Sequence, residues 1–229
     1  MSCGCKLMAD FDTGRTLGLV GSILVLVALI FSFIIGFLGF LLQLVGLILI
    51  LISLHTFSNI YGERIIFRDA LLSVLIGYGV PLAALIFLFI LLIPIGFTIV
   101  TSARPIPPSR IEDLFGTQIT ASIILWAFIA ILAILVALAI SAYLWYRALN
   151  TLSLRSGEKF FRWAGLTYLA FAVSLIVGVV TAVILIGILV IFIGILLGLT
   201  SWVLLAIAFY EVKPPQPPIQ APPAPVVQV

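Results

Sequence analysis

Charge is what this chain lacks most. Only 8% of its 229 residues are Asp, Glu, Lys or Arg, whereas 64% are hydrophobic, and it has one histidine, two cysteines and two methionines. An ordinary soluble domain carries about 25% charged and 45–50% apolar residues. A fold of this length has too little interior to hide the surplus apolar surface, which excludes a soluble globular protein. At a mean hydropathy of +1.42, lipid is the solvent, and in lipid every backbone N–H and C=O has to be paired internally, by helices or a closed barrel. The short alternating segments of a barrel are missing as well, because the apolar runs are long and unbroken. The expected fold class is all-α: a polytopic membrane helix bundle, multi-pass in the cell membrane.

Further absences bear on chemistry. No Asp, Glu, Lys or Arg stands well inside an apolar run, where such residues mark ion paths, proton relays or catalysis. Gln43 is the only carboxamide there, and the other polar groups are hydroxyls such as Ser22, Ser73, Ser141 and Ser201, which serve helix packing. H-E-x-x-H, a Walker A loop and G-x-S-x-G are all missing. Cys3 and Cys5 supply two thiols, whereas a closed zinc site needs about four ligands, and His55 is far away in sequence. No catalytic, cofactor-binding or metal-binding residue is assigned, and no cofactor is expected. Nucleic acid is not an expected partner despite the net charge of +3. The basic residues sit at the ends of apolar runs rather than in a stripe that tracks phosphates.

What is present is length without interruption. About 20 apolar residues cross a hydrocarbon core of about 30 Å. The run from Thr16 to Leu54 holds two spans with a tight turn near Gly36. The run from Leu71 to Ala103 holds one, kinked at Pro81, and that from Ile119 to Tyr146 holds one. The run from Trp163 to Tyr210 holds two, turning near Gly187. Six transmembrane helices are expected at about 16–34, 37–58, 70–98, 119–146, 163–185 and 188–210, within a domain of residues 16–211. A pair of shallow re-entrant helices is the alternative for a hairpin, chiefly the first.

Residues 1–15 are read as a cytoplasmic N-terminal tail, and 212–229 as a disordered, Pro-rich C-terminal tail, "VKPPQPPIQAPPAPVVQV". Runs such as "PPQPP" suit aromatic-lined grooves and make a protein partner one reading of that tail. Lys6, Arg15, Arg64, Arg68, Arg147, Arg155, Lys159, Arg162 and Lys213 fall on one face of this topology, and only Arg104 and Arg110 on the other. Basic residues favour the cytoplasmic side, so both termini are expected there, with 101–118 outside.

Small residues recur at a spacing of seven, as Gly39, Gly46, Ser53 and again as Gly187, Gly194, Ser201. That spacing keeps them on one helix face, where they form a packing surface for a helix of the same chain or of another subunit in a homo- or hetero-oligomer. A charged phrase also recurs: "YGERIIFRDAL" at 61–71 and "SGEKFFRWAGL" at 156–166. Gly62 and Gly157 suit helix C-caps. Glu63 and Glu158 suit the start of the next helix. Arg64, Arg68, Lys159 and Arg162 are candidate contacts to lipid headgroups.

"GRTLGLVGSIL", "LILILISLHTFSNIYGERIIFRDAL" and "FFRWAGLTYLAF" resemble the uncharacterised archaeal and bacterial membrane family called domain of unknown function 996. The resemblance extends over residues 13–211 and implies a membrane protein of archaeal type, with no established activity and no residues of chemical role. A proline common in the first hairpin turn of relatives is absent from Phe33-Ile34-Ile35-Gly36. The expected function is that of a non-enzymatic integral membrane protein, a structural, scaffold or accessory subunit with membrane lipid as its partner. The alternatives are a carrier or channel for an uncharged or lipid-like solute, and a lipid-modifying enzyme at the cytoplasmic surface using His55, Glu63 and Glu158.

Overall fold

A computed structural model describes residues 3–32, 35–101, 117–182 and 186–214, with side chains placed for 8–32, 35–90, 124–182 and 186–214. The described residues form six helices and no strand: α1 (Cys3–Ser32), α2 (Gly36–Tyr61), α3 (Arg64–Thr101), α4 (Thr117–Ser156), α5 (Lys159–Val180) and α6 (Ile186–Glu211). All six are long and apolar enough to cross a membrane. The first two contribute spans of 25 and 26 residues, or roughly 38 Å each at helical rise, so length does not require a re-entrant pair.

Three helices run well beyond the expected spans: α1, α3, which covers 38 residues, and α4. α4 has 40 residues, roughly 60 Å, about twice the hydrocarbon thickness. Its last turns carry Arg147 and Arg155 beyond the apolar stretch. α1 begins at Cys3, so residues 3–15, read above as a tail, are helical. Phe11 explains part of this extension: it is 2% exposed and meets the Phe57 ring edge-on at 5.6 Å. The second tail lies, from residue 215 onward, outside the described residues, as does most of the 101–118 loop. α3 is continuous through Pro81.

The chain divides into two compact units. The first comprises residues 1–67, 149–164 and 201–229: the α1–α2 hairpin together with one end each of α3, α4, α5 and α6. The second comprises residues 68–148 and 165–200.

Close backbone approach holds the first hairpin. A Cβ on Gly46 would lie 2.9 Å from the Gly21 carbonyl oxygen, and a Cβ on Gly39 would lie 2.5 Å from the Ser32 Cα. Ser53 then donates to the Gly14 carbonyl at 2.7 Å. At the turn, Ile35 N–H bonds the Phe31 carbonyl and Gly39 N–H bonds the Ile35 carbonyl, so a bend without polar side chains still pairs these groups. α5 and α6 are built alike. A Cβ on Gly187 would meet the Thr181 backbone at 2.4 Å, Gly194 lies against Ser174, and Ser201 donates to the Ala164 carbonyl at 2.8 Å. All six small residues of the sevenfold spacing are buried against the neighbouring helix of their own hairpin.

In the second unit α3 and α4 share a buried serine clasp. Ser73 donates to the Ser141 carbonyl at 2.8 Å and Ser141 donates to the Ser73 carbonyl at 2.9 Å. Gly77 leaves room for it, since a Cβ there would stand 2.6 Å from the Ser141 hydroxyl oxygen. Much of the outer surface is apolar, with Phe37 at 76% and Phe89 at 68% exposure, as lipid-facing side chains require.

Candidate functional site

The two charged phrases hold the turns α2–α3 and α4–α5, both within the first unit. At the first, Gly62 has φ +69°, a left-handed conformation that suits glycine. Its N–H and that of Glu63 both reach the Ser58 carbonyl, closing a Schellman-type cap. The Ser58 hydroxyl donates back to the Glu63 carbonyl at 2.9 Å, which locks the turn. At the second, Gly157 has φ +73° and its N–H bonds the Ser153 carbonyl at 3.0 Å. α3 starts at Arg64 and α5 at Lys159, so Glu63 and Glu158 each immediately precede a helix, where negative charge suits the helix dipole.

No atom lies within 4 Å of where a Cβ would sit on either glycine. An alanine there is therefore strained through φ alone. The variants Gly62→Ala and Gly157→Ala are expected to lose about 1–2 kcal/mol each, read as lowered thermal midpoints in detergent. Unchanged midpoints for both would contradict the cap assignment.

An ion pair ties the first phrase to the end of α4: the guanidinium of Arg155, the residue before the second phrase, contacts the Glu63 carboxylate. The turn at Gly62 and the end of α4 therefore meet within the first unit. Arg64, Lys159 and Arg162 are exposed in this unit; Arg68 is exposed too and is the first residue of the other unit. Trp163 and Tyr210 are 58% and 62% exposed, as befits interfacial aromatics.

The same end has an aromatic core. Phe57 stacks on Phe209 at 6.0 Å, and Phe161 meets Phe209 edge-on at 5.2 Å. Gly18 makes the room, since a Cβ there would stand 2.5 Å from the Phe209 ring. Arg15 donates to the Tyr210 carbonyl, with its guanidinium carbon 5.4 Å from the Tyr210 ring centre. The Arg15–Gly18 stretch of α1 and the end of α6 are thus in contact. His55, a candidate acid–base group above, lies edge-on to Phe67 at 4.8 Å. Among the described residues no three His, Cys, Asp or Glu side chains are grouped as metal ligands; the Cys3 and Cys5 side chains lie outside them.

Two charged features escape sequence reasoning. In the second unit Asp69 is 6% exposed and pairs with Arg147, Nε to Oδ2 at 3.3 Å. That oxygen lacks a directed hydrogen bond among the described residues, so charge attraction is its compensation. The second feature is a cavity of about 280 Å³ in the first unit, lined by Asp10, Thr13, Thr56, Asn59 and Ile60. The acidic character of the "FRDAL" and "ADFD" stretches was the available signal; the partners are distant in sequence.

The chain belongs to the family described as "Protein of unknown function (DUF996)", whose model matches residues 42–196. The match begins within α2 and ends within α6, so it contains both charged phrases. No curated protein matches the chain, and no solved structure does.

Proposed function

We propose that this multi-pass membrane protein is non-enzymatic, a structural or accessory subunit whose charged end rests on anionic headgroups at the cytoplasmic face of the cell membrane. The observation that carries this reading is how its buried hydroxyls are used. Ser53, Ser201, Ser73 and Ser141 each donate to a main-chain carbonyl of a neighbouring helix. Ser22 donates to the Gly18 carbonyl of its own helix. These groups hold helices together, and that occupation leaves their protons committed to packing.

At the charged end, Glu63 is held by Arg155, which offsets one negative charge beside exposed Arg64, Lys159 and Arg162. Snorkelling cations with neighbouring Trp163 and Tyr210 suit an anchored surface. The proline-rich tail is the segment proposed to dock a protein partner. Purification from native membranes in mild detergent tests the accessory role. The expected result is a stoichiometric complex larger than one chain with its lipid. A solitary monomer would contradict it.

A further inference from the structure

We infer that the notch between the start of α1 and the end of α2 binds a primary ammonium group, an inference that goes beyond the accessory role and does not rest on it. The notch holds about 280 Å³ and is open to solvent on one side. Its walls offer mainly acceptors, with the Asn59 amide able to accept through its oxygen. The Thr13 hydroxyl donates to the Ala9 carbonyl at 2.8 Å, and the Thr56 hydroxyl to the Ile52 carbonyl at 3.0 Å. A hydroxyl has a single proton, so both present only lone pairs to a ligand. Asp10 adds a carboxylate, whose oxygens accept. Three acceptor groups and one negative charge match an ammonium with three N–H donors and one positive charge. Ile60 supplies an apolar wall for the carbon next to the nitrogen.

The same walls discriminate. A quaternary ammonium has no donor, and its recognition uses aromatic faces; the notch is lined by one carboxylate, two hydroxyls, one amide and one aliphatic side chain. An anion meets the Asp10 carboxylate, finds the two hydroxyl protons already used, and is left with the Asn59 amide as its one donor group. The ligand's amine comes either from an ethanolamine lipid headgroup or from a free amine in solution.

The full chain, purified and placed in phosphatidylcholine nanodiscs, separates these sources. One arm adds phosphatidylethanolamine and reads retained lipid by native mass spectrometry. The other titrates ethanolamine, with choline as the comparison, by calorimetry. Both arms are repeated in Asp10→Asn, in Thr56→Val and in a Lys6→Gln background, because Lys6 stands four residues before Asp10. Preference for the primary over the quaternary amine by at least about tenfold (one good charge-assisted contact), lost in Asp10→Asn at an unchanged thermal midpoint, is the expected result. Lipid retention identifies a headgroup source and calorimetric binding alone a soluble one. Equal binding of primary and quaternary amines, no binding in either the native or the Lys6→Gln protein, or full binding by Asp10→Asn would each overturn the assignment.

Discussion

Replacing Gly46 with Leu is expected to cost about 3 kcal/mol, the upper part of the range for overpacking, and to force α1 and α2 apart. Gly46 stands at a close approach of the two helices. A Cβ at this position would lie 2.7 Å from the Val25 Cγ2 and 2.9 Å from the Gly21 carbonyl oxygen. The approach is mutual, since a Cβ on Gly21 would lie 2.8 Å from the Gly46 carbonyl oxygen. A flexible side chain end yields to a new methyl group, but a backbone carbonyl within a helix does not. In lipid the loss is not recovered elsewhere, because packing is the main attraction between helices. For a domain of this size the thermal midpoint should fall by roughly 6–12 °C. Gly36, with nothing within 4 Å of its Cβ position, is the control: Gly36→Ala should leave the midpoint nearly unchanged. A Gly46→Leu protein as stable as the parent would mean that the hairpin is held by other contacts.

Removal of Arg147 is the second large effect. Asp69 is 6% exposed, and the Arg147 Nε lies 3.3 Å from its Oδ2. Breaking a fully buried ion pair costs about 3–5 kcal/mol, because the remaining charge is left without compensation. The Arg147 side chain is 52% exposed, so water already shares its charge and the expected loss for Arg147→Ala is smaller, about 2 kcal/mol. The double variant Asp69→Asn with Arg147→Gln should recover most of it, since neither charge then remains. Thermal unfolding of Asp69→Asn, Arg147→Gln and the double variant checks this as a double-mutant cycle. Additive losses would show that the two side chains do not act as a pair.

The helices were legible because lipid imposes one rule on every residue of a span. Long uncharged runs and positive ends therefore suffice to read α2 to α6, and the family resemblance is shown over residues 42–196. Gly62 and Gly157 were legible as caps for a local reason, the left-handed turn that glycine accepts most readily. The start of α1 was not legible. "SCGCKLMADFD" reads as a polar tail, and only burial of Phe11 against Phe57 reveals a packed helix. Pairings across the chain were hidden for a related reason. Asp69 with Arg147, Ser73 with Ser141 and Glu63 with Arg155 join residues far apart in sequence. Nothing in a single chain's spacing says which helix ends meet. The notch at Asp10 was invisible for the same reason, since its walls come from two helices.

The central claim is that the repeated charged phrase anchors one end of the helices among anionic headgroups. The most direct test changes Arg64, Arg68, Lys159 and Arg162 together to Gln and measures anionic lipid retained by the purified protein in native mass spectrometry. Each near-surface cation contributes about 1 kcal/mol of attraction to anionic lipid. The fourfold variant should therefore lose most of its anionic lipid, with its helical circular dichroism unchanged. Retention equal to that of the unaltered protein would contradict the account and leave the two phrases as ordinary helix borders.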